Sequence, residues 1–240
     1  MNPRRLHIIT SFFTVRVKPG SFSFGASASP EVMSERQAEY LWCIFQNTLH
    51  PSVAKLHLII QDDPSVAYLQ RWKDFPLLKA TGKLATTLFP RSPQQPLYSD
   101  LFQYANNTVP LGELAMVTNA DIFLDSDFVL PKFADENLDA FALTRWESPG
   151  IAPLITEYRG SHDSFIFKPP LPKEFIESVQ HPQNAYKAEI IVIYELQRHR
   201  TVKNPCKSVR VYHKHAADFR QWLPPQDDEA NERYARAYPE

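Results

Sequence analysis

Asn119-Ala120-Asp121 cuts short an apolar run, Leu114-Ala115-Met116-Val117, and Asp125 and Asp127 follow closely. Consecutive apolar residues of this kind predict a strand buried on both faces. Asp121 then falls just past its carboxyl end, the edge where open α/β sheets gather their ligands. A carboxylate fixed there is hard, anionic and preorganised. It suits a divalent cation carrying phosphate oxygens rather than a thiol-seeking metal, so the chemistry expected is that of a metal-diphosphate site.

Other groups stand at comparable positions. The β-type run Leu6–Thr10 places Ser11 to Phe13 at its carboxyl end, which makes Thr10, Ser11 and Phe12 candidates for contact with the same ligand. Asp62, on the turn Gln61-Asp62-Asp63-Pro64, is either a helix N-cap or a contact to a nucleotide base or ribose. Arg145 ends the strand-like Asp139–Trp146 and either steadies a phosphate or sugar or is a solvated charge. Glu189 opens the apolar helix Ala188–His199, complementing the helix dipole or pointing a carboxylate into the cleft. In Gly160-Ser161-His162-Asp163 the glycine permits close backbone approach to a ligand, and a turn explains it equally well. His213 and His215 close the last strand, Val209–Tyr212.

Positioning these groups requires alternating elements. Strands are predicted at Leu6–Thr10, Lys55–Ile60, Lys83–Phe89 and Leu114–Val117, with Ser164–Lys168 a short strand after Asp139–Trp146. Between the first four lie helical patterns: Ala38, Leu41, Trp42 and Phe45 at i, i+3, i+4, i+7 as one buried stripe, Ser65–Phe75, and Tyr98, Leu101, Phe102 and Ala105 at the same spacing. The order β-α-β-α-β-α-β predicts an α/β fold with a mostly parallel sheet and helices on both faces. Val15 to Ser29, rich in Gly, Ser and Pro, is a loop that serves as a lid or a surface excursion. Residues 1–222 are expected to form one domain and 223–240 a polar tail.

The formal net charge of −1, from 26 basic and 27 acidic side chains, gives no global field toward nucleic acid or anionic lipid. Cys43 and Cys206 show no metal-ligand spacing and no disulfide framework, so a reducing compartment is expected. No stretch reaches the ~18 apolar residues of a membrane span, and the expected location is cytoplasmic.

Four motifs in order, Asn119-Ala120-Asp121-Ile122, Ala142-Leu143-Thr144-Arg145-Trp146, Ser161-His162-Asp163-Ser164-Phe165-Ile166-Phe167, and Asn204-Pro205 through Tyr212-His213-Lys214-His215, resemble those of bacterial and phage-type GT-A glycosyltransferase-like proteins. The resemblance covers roughly residues 6–215 and implies a single Rossmann-like α/β/α domain. It also implies a nucleotide-sugar donor such as a UDP sugar, and a hydroxyl acceptor on a glycan or on a hydroxymethylated base in DNA. The family's Asp-x-Asp motif falls on Asn119-Ala120-Asp121, with Asn in place of the first Asp and Asp121 as ligand to Mn2+ or Mg2+. Its C-terminal metal-binding histidine falls on His213 or His215, and its general base on Glu189, with Asp163 the other candidate. A non-catalytic nucleotide-sugar-binding protein of the same fold is the alternative. A phosphohydrolase built on Asp121, Asp125 and Asp127 is a third.

Overall fold

The structure is a computed structural model that describes residues 5–17, 22–25, 27–92, 94–135, 137–147, 160–223 and 236–239. In chain order it begins with β1 (Leu6–Phe12), β2 (Phe22–Gly25), α1 (Pro30–Leu49), β3 (Val53–Ile60), α2 (Asp63–Arg71), α3 (Phe75–Ala80) and β4 (Leu84–Leu88). The middle holds α4 (Tyr98–Thr108), β5 (Leu114–Thr118), β6 (Ile122–Leu124), β7 (Asp139–Thr144) and β8 (His162–Phe167). Then come α5 (Lys173–Ser178), α6 (Ala188–Gln197), β9 (Thr201–Lys203), β10 (Val211–His213) and β11 (Phe219–Trp222).

Seven strands form one sheet in the order β4-β3-β1-β5-β8-β7-β9, and β8 alone among them runs against the others. The expected α/β architecture with a mostly parallel sheet is the one observed. The parallel strands β1, β3, β4 and β5 end on one edge, β7 ends there too, and the reversed β8 starts there. That single reversal is why Asp163, at the start of β8, lies beside Asn119, at the end of β5: the Asn119 amide donates to the Asp163 carbonyl at 3.1 Å.

Both sheet faces are covered. Tyr98, Leu101, Phe102 and Ala105 of α4 are fully buried, as their spacing predicts, and Phe102 meets Phe165, Phe167 and Phe175 with ring centroids 6.0, 5.5 and 5.0 Å away. Burying each such ring stabilises the fold by roughly 1.5–3 kcal/mol. Helix α6 buries Ala188, Ile191, Val192, Ile193 and Leu196, so it is enclosed on more than one side. Among the described residues no helix is long and apolar enough to cross a membrane, and both cysteines are free and buried.

Four expectations need correction. Strand β1 runs two residues further than predicted, so Phe12 is a core side chain at 0% exposure and Ser11 lies inside the strand. The buried side of α1 is not the stripe Ala38, Leu41, Trp42, Phe45: Ala38 and Trp42 are exposed, while Arg36, Gln37, Glu39, Tyr40, Cys43, Ile44 and Asn47 are buried. Apolar periodicity misplaced that face because the inner one is held by polar contacts. Residues 65–75 form two short helices rather than one, α2 and the start of α3. The strand expected last, Val209–Tyr212, is β10 (Val211–His213); β11 follows it, and it stands outside the main sheet, antiparallel to β6 with His213 opposite Ile122.

Part of the expected loop at residues 15–29 is also ordered, as β2 pairs antiparallel with β11. Gly25 sits at φ +86°, where an added Cβ would lie 1.9 Å from the Asp218 carbonyl oxygen, so that crossing needs glycine. Of the stretch expected as a tail, residues 236–239 pack back on the molecule: Ala237 is buried and its carbonyl accepts from His162 Nε2 and Asn204 Nδ2, both at 3.2 Å.

Candidate metal centre

The β6–β10 pairing carries the C-terminal histidines to Asp121. The backbone amide of Lys214 donates to the Asp121 carbonyl at 2.8 Å and that of His213 to the Trp146 carbonyl at 2.7 Å. His213 Nε2 then lies 3.1 Å from Asp121 Oδ2, although 92 positions separate them. Residues 213 and 215 share one side of the chain, as positions two apart in an extended segment do. Their rings stack, with centroids 4.9 Å apart and planes at 12°. One ligand atom each from Asp121, His213 and His215 lies within 4.8 Å of the others, a group able to hold a metal ion. His213 lines the adjoining cavity of about 470 Å3, and His215 stacks behind it.

Around this triad runs a chain of alternating charge. Asp163 Oδ2 accepts from Arg145 Nη1 at 2.6 Å, Arg145 Nε donates to Glu147 Oε1 at 3.1 Å, and Glu147 Oε2 lies 3.1 Å from His213 Nδ1. Beyond His213 and Asp121, the Arg36 guanidinium ion-pairs with Asp121 Oδ2 and donates to Glu39 Oε2 at 2.8 Å. Glu39 Oε1 in turn accepts from the backbone amides of Ala216 and Ala217. Buried charges of this kind are tolerated because each is paired and hydrogen-bonded.

The network sets protonation. Burial works against an ionised Asp121, but Arg36 and His213 outweigh it and hold the carboxyl well below its usual range. Burial likewise works against a charged His213, and Asp121 with Glu147 pushes its value up. Glu147 is brought down to about 2 against its own burial by the hydrogen bond to His213 and by Arg145. His215 is pushed down to about 2 by burial and by the nearby Arg36 and His213, which leaves it a neutral imidazole. The donors therefore fit a divalent cation: an ionised carboxylate, a neutral imidazole, and a second imidazole whose proton a cation would displace.

Glu189, in the first turn of α6, also lines the cavity. Burial first and the neighbouring Asp163 second push its carboxyl up to about 8, with Asn119 and Arg145 working the other way. Asn119 fits between these carboxylates because it is an amide: Nδ2 donates to Asp163 Oδ1 at 2.9 Å and Oδ1 accepts from Gln183 Nε2 at 3.2 Å. Gln183 Oε1 accepts from Ser11 Oγ at 2.6 Å, which ties the end of β1 into the same network.

Of the residues singled out in the sequence, Ser11, Asn119, Ala120, Asp121, Arg145, Asp163, Glu189 and His213 line the cavity. Thr10 is buried with no partner for Oγ1 among the described residues, and Phe12 is core. Asp62 caps α2, accepting from the Ser65 amide at 3.0 Å and from Ser65 Oγ at 2.5 Å. It does not line the cavity itself but pairs with Arg16, which does, Arg16 Nη2 donating to Asp62 Oδ2 at 2.5 Å. Arg145 is a partly buried link between two carboxylates, not a solvated charge. Sequence reasoning missed Arg36, Glu39, Glu147 and Gln183. The signal for the first two was the polar set Arg36, Glu39, Tyr40 and Asn47, which recurs at one-face spacing on α1.

No protein-family model matches the chain, and no curated protein does. Among solved structures, the inositol-1-phosphate CTP transferase from T. maritima is similar, with a TM-score of 0.45 and 11% identity over 84% of each chain. At that level the likeness does not extend to function.

Proposed function

We propose that this chain is a metal-dependent glycosyltransferase of the GT-A type, moving a sugar from a nucleoside-diphosphate donor to a hydroxyl acceptor on a glycan or a hydroxymethylated DNA base. The observation that carries the proposal is the meeting of Asp121 and His213 at the wall of a cavity of about 470 Å3, on the edge where the parallel strands end. That volume suits one nucleotide-sized ligand. Asp121, His213 and His215 would hold the cation, and the imidazole donors favour Mn2+ over Mg2+. Bound there, it would supply stabilisation of the negative charge that develops on the departing diphosphate.

The remaining steps belong to the chain's own residues. The sugar–phosphate bond breaks, a bond forms from the sugar to the acceptor oxygen, and the acceptor's proton passes to Glu189. A carboxylate with a pKa near 8 is well matched to that task near neutral pH, typically for a 10²–10⁴-fold gain. Asp163 is less suited as base, because Arg145 and Asn119 already occupy its two oxygens. Its role is to hold Asn119 and Arg145 against the donor.

A panel of nucleotide sugars scored by thermal shift, with Mn2+ and after chelation, tests the proposal. A matching donor at about a hundred times its Kd adds about 2.7 kcal/mol and raises Tm by several degrees only with the metal present. That donor should release nucleoside diphosphate on incubation with an acceptor. Binding without any turnover would instead support a non-catalytic nucleotide-sugar-binding protein. No shift with any donor would overturn both.

A further inference from the structure

Asp121 Oδ2 already receives two donors, the Arg36 guanidinium and His213 Nε2. A cation that coordinates this oxygen must displace at least one of them. An imidazole nitrogen can itself serve as a ligand, whereas the Arg36 guanidinium has no lone pair to offer a cation and can only move. Its Nη1 is anchored to Glu39 Oε2 at 2.8 Å and to the Lys214 carbonyl at 3.0 Å, and its guanidinium lies 4.7 Å over the Tyr40 ring. Displacement is therefore a pivot about Nη1 across an aromatic face rather than a departure. Arg36 Nε is buried and has no partner among the described residues. Nε and Nη2 share one edge of a guanidinium, the edge that takes two oxygens of one phosphate side by side.

We propose that Arg36 exchanges partners on ligand binding: it holds Asp121 until a divalent cation takes that oxygen, then presents its freed Nε–Nη2 edge to a diphosphate in the cavity. The exchange rests on the cation and nucleotide assignment proposed above. It makes cation and diphosphate bind together, since each removes what opposes the other, and that coupling is reciprocal.

Titration of free Mn2+ by its electron paramagnetic resonance signal, with no phosphate present, tests it on wild type, Arg36→Met, Arg36→Lys and the double variant Arg36→Met/Glu39→Gln. The double variant also neutralises Glu39, whose charge the single change leaves without its guanidinium partner. Expected are Mn2+ affinity at least tenfold tighter in Arg36→Met and in the double variant, and near wild type in Arg36→Lys. At saturating Mn2+, the affinity of Arg36→Met for inorganic pyrophosphate should fall at least tenfold. If wild type binds Mn2+ and the two Arg36→Met proteins, melting cooperatively, bind it no more tightly, the exchange is wrong and the metal site stands. If no protein binds Mn2+ while a nucleotide sugar is still turned over, the cation assignment and the exchange fall and the transferase remains.

Discussion

Glu147 orients His213: its Oε2 lies 3.1 Å from His213 Nδ1, which leaves Nε2 facing Asp121. The other Glu147 oxygen is held by Arg145 Nε at 3.1 Å, so the imidazole is braced by a carboxylate that is itself braced. Carboxylates placed behind metal-binding histidines fix ring orientation and raise ligand basicity.

Glu147→Gln should therefore weaken Mn2+ binding by about 10–100-fold, measured by titration of the free ion. Its effect on stability has a defined window. Glu147 is lowered to about 2, so its contribution is present above the ordinary 4.5 and lost as pH falls toward 2. His213 is raised, so its contribution is full below 6.5 and lost as pH rises through its folded value. Both are present between 4.5 and 6.5, where the Tm deficit of the variant should be largest. A deficit independent of pH, with Mn2+ affinity unchanged, would show that Glu147 does not act through His213.

Asn119→Asp would place a second aspartate two positions before Asp121, yet the geometry argues against a gain. The variant loses the donor to Asp163 Oδ1 at 2.9 Å and adds a carboxylate beside Asp163 and Glu189. Like charges so placed raise one another's pKa and destabilise the ionised fold. A loss of about 1–3 kcal/mol is expected at pH 8, shrinking as the pH falls and the new group takes up a proton. Mn2+ affinity should stay within a few-fold of wild type, because Asn119 is not one of the three convergent donors. A tenfold tighter Mn2+ complex without loss of stability would make position 119 a ligand instead.

What could be read from the chain alone follows from which contacts are local. Asp121 announces itself because Leu114 to Val117 are apolar and end abruptly, and α4 does so through its apolar stripe. The reversed strand β8 is invisible, since direction is set by which neighbour a strand meets and not by its own residues. Arg36 and Glu39 were hidden for a different reason. Hydrophobic periodicity locates the inner face of a helix only when that face is apolar, and α1 turns Arg36, Gln37, Glu39 and Asn47 inward, where Asp121, Val15, Ala216 and Ile122 respectively satisfy them. That both His213 and His215 reach Asp121 likewise depends on the β6–β10 pairing, which joins segments far apart in the chain.

Glu189 links pH, rate and stability in opposite senses. With a pKa near 8 it is mostly protonated at pH 7, so a proton-accepting role predicts kcat rising about tenfold per pH unit below 7 and levelling off above about 8. Glu189→Gln should lose 10²–10⁴-fold in kcat and most of that pH dependence. For stability, a carboxyl raised from 4.5 to about 8 binds more protons folded than unfolded across that interval, so wild type loses stability as pH climbs from 4.5 to 8. The amide removes this penalty, and Glu189→Gln should melt several degrees above wild type at pH 8 and close to it at pH 4.5. Such a trade is expected where a site keeps a destabilising group for its chemistry. A wild-type rate that is flat from pH 6 to 9, together with an active Glu189→Gln, would remove Glu189 from the reaction and leave its carboxyl a feature of burial alone.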